Sequence, residues 1–221
     1  MKFIDAGRIS FAAGLQLQER QVERCLASGE EAVFLLEHEA VYTIGRRPDK
    51  TSLGDVGRLP FPVHEINRGG QATFHGPGQL VAYPVLNLNE RGRDLHRYLR
   101  ELETVLINLL AESGLEASRV SGKTGAWVQG RKIASIGVGV RRWISMHGLA
   151  LNVGSDLSGF AAITPCGLPG VTMTSLSREL GREVPVEFIK GLIPKHFGKV
   201  FPDRPSGGAV RTGLRDARKA P

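Results

Sequence analysis

The hydrophobic positions of this chain change period several times, and the changes outline its elements. Between residues 11 and 28, Phe11, Leu15, Val22, Cys25 and Leu26 fall near one face of a 3.6-residue repeat, with Ser10 set to cap the start and Gly29 to close the end. This predicts a helix and makes Cys25 a small core residue, the usual fate of a lone buried thiol. Short apolar runs at 33–36 and 41–44 read as strands, and the Pro/Gly-punctuated stretch 45–62 reads as a loop. Strands are expected over 63–67 and 80–88. The strongest periodicity follows Asp94: Leu95, Tyr98, Leu99, Leu102, Val105, Leu106, Leu109 and Leu110 form one stripe, stopped at Gly114. From 122 to 153 the pattern turns β again, with strands over 126–128, 132–140 and 143–153 and a hairpin turn at Gln129-Gly130. A loop over 154–172 and short helices over 172–180 and 185–198 complete the series.

Strands therefore arrive in neighbouring runs with few helices between them. That predicts a single α+β domain, with a mixed or antiparallel sheet flanked by helices, over a doubly wound parallel fold. A chain of 221 residues with 41% apolar and 23% charged residues fits one domain with a substantial core. No apolar run approaches the roughly eighteen residues of a membrane span, and the first residues break off before a signal-peptide core develops. Two cysteines, Cys25 and Cys166, supply no disulfide framework, so a cytoplasmic protein without a membrane partner is expected.

Charge changes the picture only modestly. The net charge is +7, of which the Gly/Pro/Arg-rich tail over 202–221 supplies +3. The tail is expected to be disordered, leaving 1–201 as the folded domain. A mildly basic body suits acidic protein partners as well as nucleic acid. No nucleic-acid recognition motif is present, so nucleic acid is not expected as a partner.

The stretch from Arg68 to Leu80 packs four glycines, a proline, Arg68, Thr73 and His75 between two strand-like runs. Glycine lets a backbone approach a ligand closely, so this loop is a candidate binding segment. Other glycine patterns fail. In Gly122-Lys123-Thr124 the first P-loop glycine would fall at Ala117, and a strand follows where a helix is needed. Gly76-Pro77-Gly78 and Gly137-Val138-Gly139 are not completed as dinucleotide motifs, their third glycines falling at Val81 and Arg142. The six histidines show no paired metal-ligand spacing, so neither metal nor cofactor is expected. Cys166 stands between Pro165 and Gly167, whose unobstructed amide would suit an oxyanion beside an acylated sulfur. A cysteine nucleophile wants a base. Lys132, at the start of an apolar strand, is one candidate, with His75 and His147 as rivals and an ordinary solvated lysine as the plain alternative.

Four blocks in matching order resemble the lipoyl(octanoyl) transferase family. They are Leu36-Glu37-His38 with 42–46; Arg68 to Leu80; Gly125-Ala126-Trp127 through 132–137; and 147–152 with Pro165-Cys166-Gly167. Together they span about residues 35–176. Ala72 and Phe74 depart mildly from the valine and tyrosine usual there. The resemblance implies the fold of biotin- and lipoate-protein ligases and a transfer of octanoyl from octanoyl-acyl carrier protein to a lysine amine on lipoyl domains. The acceptors implied are those of 2-oxoacid dehydrogenase E2 subunits and the glycine-cleavage H protein. It also implies that Cys166 becomes the acyl-thioester, and that Lys132 favours its thiolate and serves as general acid and base. Arg68, Gly69, Gly70, Gln71, Ala72, Thr73, Phe74, His75, Ser135, Ile136, Gly137, Gly148, Leu149 and Ala150 would contact substrate. The rival reading on the same scaffold is an ATP-dependent lipoate or biotin ligase, which needs no cysteine nucleophile.

Overall fold

Two adjacent central strands sort the core into layers by simple alternation. In the computed structural model, which describes residues 1–46, 49–154 and 156–202, these are β2 (Ala32–His38) and β6 (Gln79–Val85). Val33, Leu35, Leu80 and Ala82 enter one buried cluster, and Phe34, Leu36, Val81 and Tyr83 enter another. The first cluster is closed by α2 (Leu95–Glu112) and α4 (Val186–Val200), the second by α1 (Phe11–Ser28). Sequential faces of a pleated strand point opposite ways, so a run apolar on every position must be buried on both sides.

Seven strands make the main sheet in the order β1-β2-β6-β10-β9-β8-β7, where β1 is Lys2–Ile9, β7 Ser118–Val120, β8 Lys123–Val128, β9 Arg131–Arg141 and β10 Ile144–Asn152. Only β1 and β2 run parallel there, so the sheet is mixed, as expected. A second, three-stranded sheet runs β4 (Val63–Glu65), β3 (Val41–Ile44), β5 (Thr73–His75). Under it lies a satellite cluster of Tyr42, Ile44, Leu53, Ala72, Phe74, Leu157 and Phe160.

The helices follow their caps. Ser10 Oγ accepts from the Ala13 amide at 3.3 Å and Gly29 closes α1 at φ 74°. Asp94 accepts from the Arg97 amide at 2.9 Å to start α2. Cys25 lies in the core at 2% exposure, and burial pushes its thiol up to about 11. No helix among the described residues is long and apolar enough to cross a membrane.

Several boundaries differ from expectation. β1 carries no clear alternation and escapes detection because its partner β2 is buried while it is an edge. β5 sits inside the glycine-rich stretch, three residues long. The helix expected over 172–180 is confined to α3, Leu176–Leu180. Its first residues are drawn out along β9, with the Lys132 amide donating to Thr172 O at 2.8 Å and the Thr174 amide donating to Lys132 O at 2.9 Å. The tail expected to be disordered falls, from residue 203 on, outside the described residues.

One irregularity places the chemistry. Ala126 pairs with Ala134 but Trp127 pairs with Lys132, so Ile133 is an extra residue in β9. In a regular strand Lys132 and Ser135, three apart, would point to opposite faces. The bulge re-aims Lys132 so that both reach the same cavity.

Candidate active site

A cavity of about 320 Å³ lies between the two sheets. β9 and β10 form its floor, and the 66–75 segment forms its roof. The roof comes this close because glycines face it. A Cβ on Gly137 would stand 2.9 Å from Arg68 Cδ, and one on Gly139 would stand 2.5 Å from Asn67 O. The Gly69 amide accordingly donates to Val138 O at 3.0 Å. The incomplete dinucleotide pattern at 137–139 is thus a contact between loop and sheet.

Cys166 enters from a tight turn, Pro165–Gly167, with φ 57° and ψ 16°. A non-glycine residue in the left-handed region costs about 1–3 kcal/mol and marks a position held for a reason. The holding bonds are visible: the Cys166 amide donates to Ala72 O at 2.8 Å and the Gly167 amide to Thr164 O at 2.9 Å. Sγ is left facing the cavity, with Lys132 Nζ at 3.1 Å and Ser135 Oγ at 3.8 Å. Lys132 is 2% exposed, so the solvated-lysine alternative does not hold. Gly167, expected to offer a free oxyanion donor, does not. Its amide is spent within the turn, and the Gln71 side chain packs against its Cα.

The cavity wall is largely hydrocarbon on one side. Phe11, Ile66, Val81, Ile136, Leu149 and Ala150 line it, together with the cations Arg68, Lys123 and Lys132. Burial, with His38 and Arg68 nearby, lowers His75 to about 3 despite its bond to Gln79. Burial and then Arg68 lower His147 to about 4, and burial lowers His38 to about 4. His38 donates through Nδ1 to Ile9 O and accepts from the Tyr83 hydroxyl at Nε2, 2.7 Å. His75 lies parallel to Phe11, ring centroids 6.4 Å apart. Neither His75 nor His147 hydrogen-bonds to Cys166, so of the three candidate bases Lys132 is the one in contact with the sulfur.

Arg68 roofs the cavity as a buried cation that meets no carboxylate among the described residues. Its guanidinium donates to Gly69 O at 2.9 Å, Thr43 O at 3.2 Å, Thr43 Oγ1 at 2.9 Å and Gln71 O at 3.0 Å. These bonds tie the loop to β3, and burial shifts the group downward.

Of the residues expected to contact substrate, Arg68, Gly69, Gly70, Gln71, Thr73, His75, Ser135, Ile136, Gly137, Gly148, Leu149 and Ala150 line this cavity with Lys132 and Cys166. Ala72 and Phe74 do not. They alternate with Thr73 and His75 along β5 and point into the satellite core. Phe11, Val81, Tyr83 and His147 also line the cavity and were not among the expected contacts. The alternation Val81/Tyr83 opposite the core residues Leu80/Ala82 is the signal that could have found two of them.

The family model for the lipoyl protein ligase A/B catalytic domain matches residues 10–198. An octanoyltransferase of Geobacter sulfurreducens is 50% identical over 226 residues, covering 100% of this chain and 94% of that one. Among solved structures, lipoate-protein ligase A bound with ATP is similar at TM-score 0.73 and 15% identity, covering 90% of this chain and 84% of its own. Biotin protein ligase from Aquifex aeolicus in complex with biotin and ATP is similar at TM-score 0.56 and 14% identity, covering 90% and 69%. At those identities the two structures speak to the fold alone, which is the α+β architecture expected. The family match and the close relative go further: this chain belongs to the lipoyl protein ligase A/B catalytic domain family.

Proposed function

We propose that this chain is an octanoyltransferase that moves an octanoyl group from octanoyl-acyl carrier protein, through a thioester on Cys166, to the lysine amine of a lipoyl domain. The observation that carries the reading is the 3.1 Å contact between Lys132 Nζ and Cys166 Sγ at the edge of an apolar cavity. An ammonium beside sulfur favours the thiolate, the form that attacks.

In the first half-reaction the Cys166 thiolate adds to the thioester carbonyl, and the carrier's sulfur leaves with a proton from Lys132. One thioester replaces another, so the step is close to isoenergetic and needs no nucleotide. In the second, the lipoyl-domain amine adds to the Cys166 thioester and gives its proton to Lys132. The Cys166 thiolate then leaves and the starting ion pair is restored. Amide formation drives the cycle. With the 166 and 167 amides committed to Ala72 O and Thr164 O, the oxyanion is left to donors across the cavity, of which the Lys132 ammonium and the Ser135 hydroxyl are the groups nearest the sulfur.

Burying an eight-carbon chain contributes about 5 kcal/mol at roughly 0.8 kcal/mol per methylene. The cavity supplies the apolar wall, with Phe11, His75, Tyr83 and His147 around it as neutral, mostly aromatic surface. Lipoyl domains of 2-oxoacid dehydrogenase E2 subunits and the glycine-cleavage H protein are the acceptors this reading assigns, in the cytoplasm.

Mixing the protein with octanoyl-acyl carrier protein should add one octanoyl mass, mapped by peptide analysis to Cys166 and discharged on adding lipoyl domain. Cys166→Ser should abolish transfer. Turnover by that variant with free octanoate and ATP would instead establish the ligase reading. An adduct that never discharges would make the protein an acyl store.

A further inference from the structure

Lys132 is sealed at 2% exposure, and a four-carbon stem that ends on a sulfur needs something to fix its direction. Its amine makes no ion pair with a carboxylate among the described residues. The buried carboxylate of α2 behind β8, Glu103, is already taken: it accepts from Arg100 at 2.8 Å, Arg119 at 2.9 Å and the Gly125 amide at 3.1 Å. What Lys132 Nζ meets besides Cys166 is the face of Trp127, 5.4 Å from the ring centroid. That ring is itself immobilised. It is 2% exposed, and its Nε1 donates to Lys123 O at 3.2 Å.

The stem runs through a slot cut for it. Gly125 has φ 133°, and a Cβ there would stand 2.9 Å from Lys132 Cε and 2.3 Å from Ala134 O. Only glycine leaves the passage open. Ring, slot and bulge therefore converge on one atom. Two further cations stand nearby: Arg68, whose charge acts on Cys166, and Lys123, 5.7 Å from the Trp127 centroid.

We propose that Trp127 is a positioning residue whose ring face holds the Lys132 amine on Cys166 Sγ, standing where an acidic counter-ion would otherwise stand. The inference rests on the acyl-transfer reading for its purpose, though not for its test. A carboxylate at that place would pin the proton on Lys132 through the cycle. An aromatic face attracts the cation weakly enough that the proton can pass to the carrier's departing sulfur and return from the incoming amine. The ring thus directs the amine without fixing its charge.

The test uses the full chain with Trp127→Phe and Trp127→Met, scored by iodoacetamide alkylation of Cys166 across pH, and by single-turnover octanoyl transfer. Phenylalanine keeps a ring face. Methionine keeps apolar bulk and loses the quadrupole. The expected result is alkylation and transfer within about threefold of wild type for Phe, and about tenfold slower at neutral pH for Met, with its rate-against-pH curve displaced to higher pH. Circular dichroism and melting should show both folded. An unchanged curve for the Met variant overturns the proposal, as does equal loss in Phe and Met, which would make the ring mere packing. If the Met variant does not fold, fluorinated tryptophan in a Trp143→Phe background weakens the ring face with little change of shape. Unchanged alkylation there overturns the proposal too. Alkylation involves no octanoyl substrate, so failure of the transfer reading would show in Cys166→Ser turnover and leave this measurement standing.

Discussion

Replacing Lys132 by methionine removes one charge from a sealed site and little else. At 3.1 Å, an ammonium and a thiolate attract by about 5 kcal/mol at the effective dielectric of about 20 that suits protein sites. Cys166 is only partly buried, and Arg68 still contributes positive potential, so the loss should fall short of that ceiling. At about 1.4 kcal/mol per decade, the first half-reaction should slow by roughly a hundred- to a thousandfold. Stability should change little, because burying the ammonium costs about as much as its attraction to the sulfur returns, and an apolar side chain of similar length takes its place. Mixing enzyme with a stoichiometric amount of octanoyl-acyl carrier protein and following the thioester adduct by quench and intact mass isolates this step from the second. Acylation within about fivefold of wild type at pH 7 would refute the electrostatic role assigned to Lys132.

Other expectations follow from the same geometry. Gly137→Val should push Arg68 and the 68–71 loop off the sheet, since even a Cβ meets Arg68 Cδ at 2.9 Å; transfer should fall by about tenfold or more, as charge-assisted bonds worth roughly 1.5–3 kcal/mol each are broken, and unaltered kinetics would show the loop to be dispensable. His38, His147 and His75 sit at about 4, 4 and 3 in the fold against 6.5 unfolded, so the stability of keeping them neutral is fully present above pH 6.5 and is lost as pH falls toward 4. Urea melts should therefore weaken from pH 7 to pH 5, by up to about 4 kcal/mol per unit for three groups, and coincident midpoints would contradict their burial as neutral rings. One thiol of the native protein should react promptly with a disulfide reagent and the other, Cys25, only after unfolding; two fast thiols would place Cys25 outside the core. Hexanoyl donors should be about fifteenfold poorer than octanoyl in kcat/KM, two methylenes being worth about 1.6 kcal/mol, and equal rates would mean the chain does not enter the cavity.

α1 and α2 were legible because each announces itself twice, by an apolar stripe and by a cap: Ser10 and Gly29 for α1, Asp94 for α2. The Gln129-Gly130 hairpin was legible for the same reason, turn chemistry agreeing with flanking pattern. Less could be read where structure is imposed from outside. β1 is a strand because β2 offers it a buried edge, and 172–174 is extended because Lys132 offers it a backbone partner. In the site, glycine spacing pointed to the right loop, yet only the three-residue β5 decides that Thr73 and His75 face the cavity while Ala72 and Phe74 face the core. The Gly167 amide looked open in sequence because the turn that consumes it is a matter of φ and ψ. The extra residue in β9 left no mark at all, since Ile133 is as suited to a regular strand as to a bulge.

That unmarked residue carries a consequence for how this strand tolerates length changes. Excising Ile133 would leave Lys132 and Ser135 two apart in a plain strand, so the Lys132 amine would stay on the cavity side of the sheet. Inserting one more residue between Lys132 and Ser135 while the bulge persists would swing the amine to the far side, among the side chains of α2 and α4. Here a lost residue is tolerated while a gained one displaces the proposed base, so the pairing of this segment bears on the proposed chemistry as much as the side chains do.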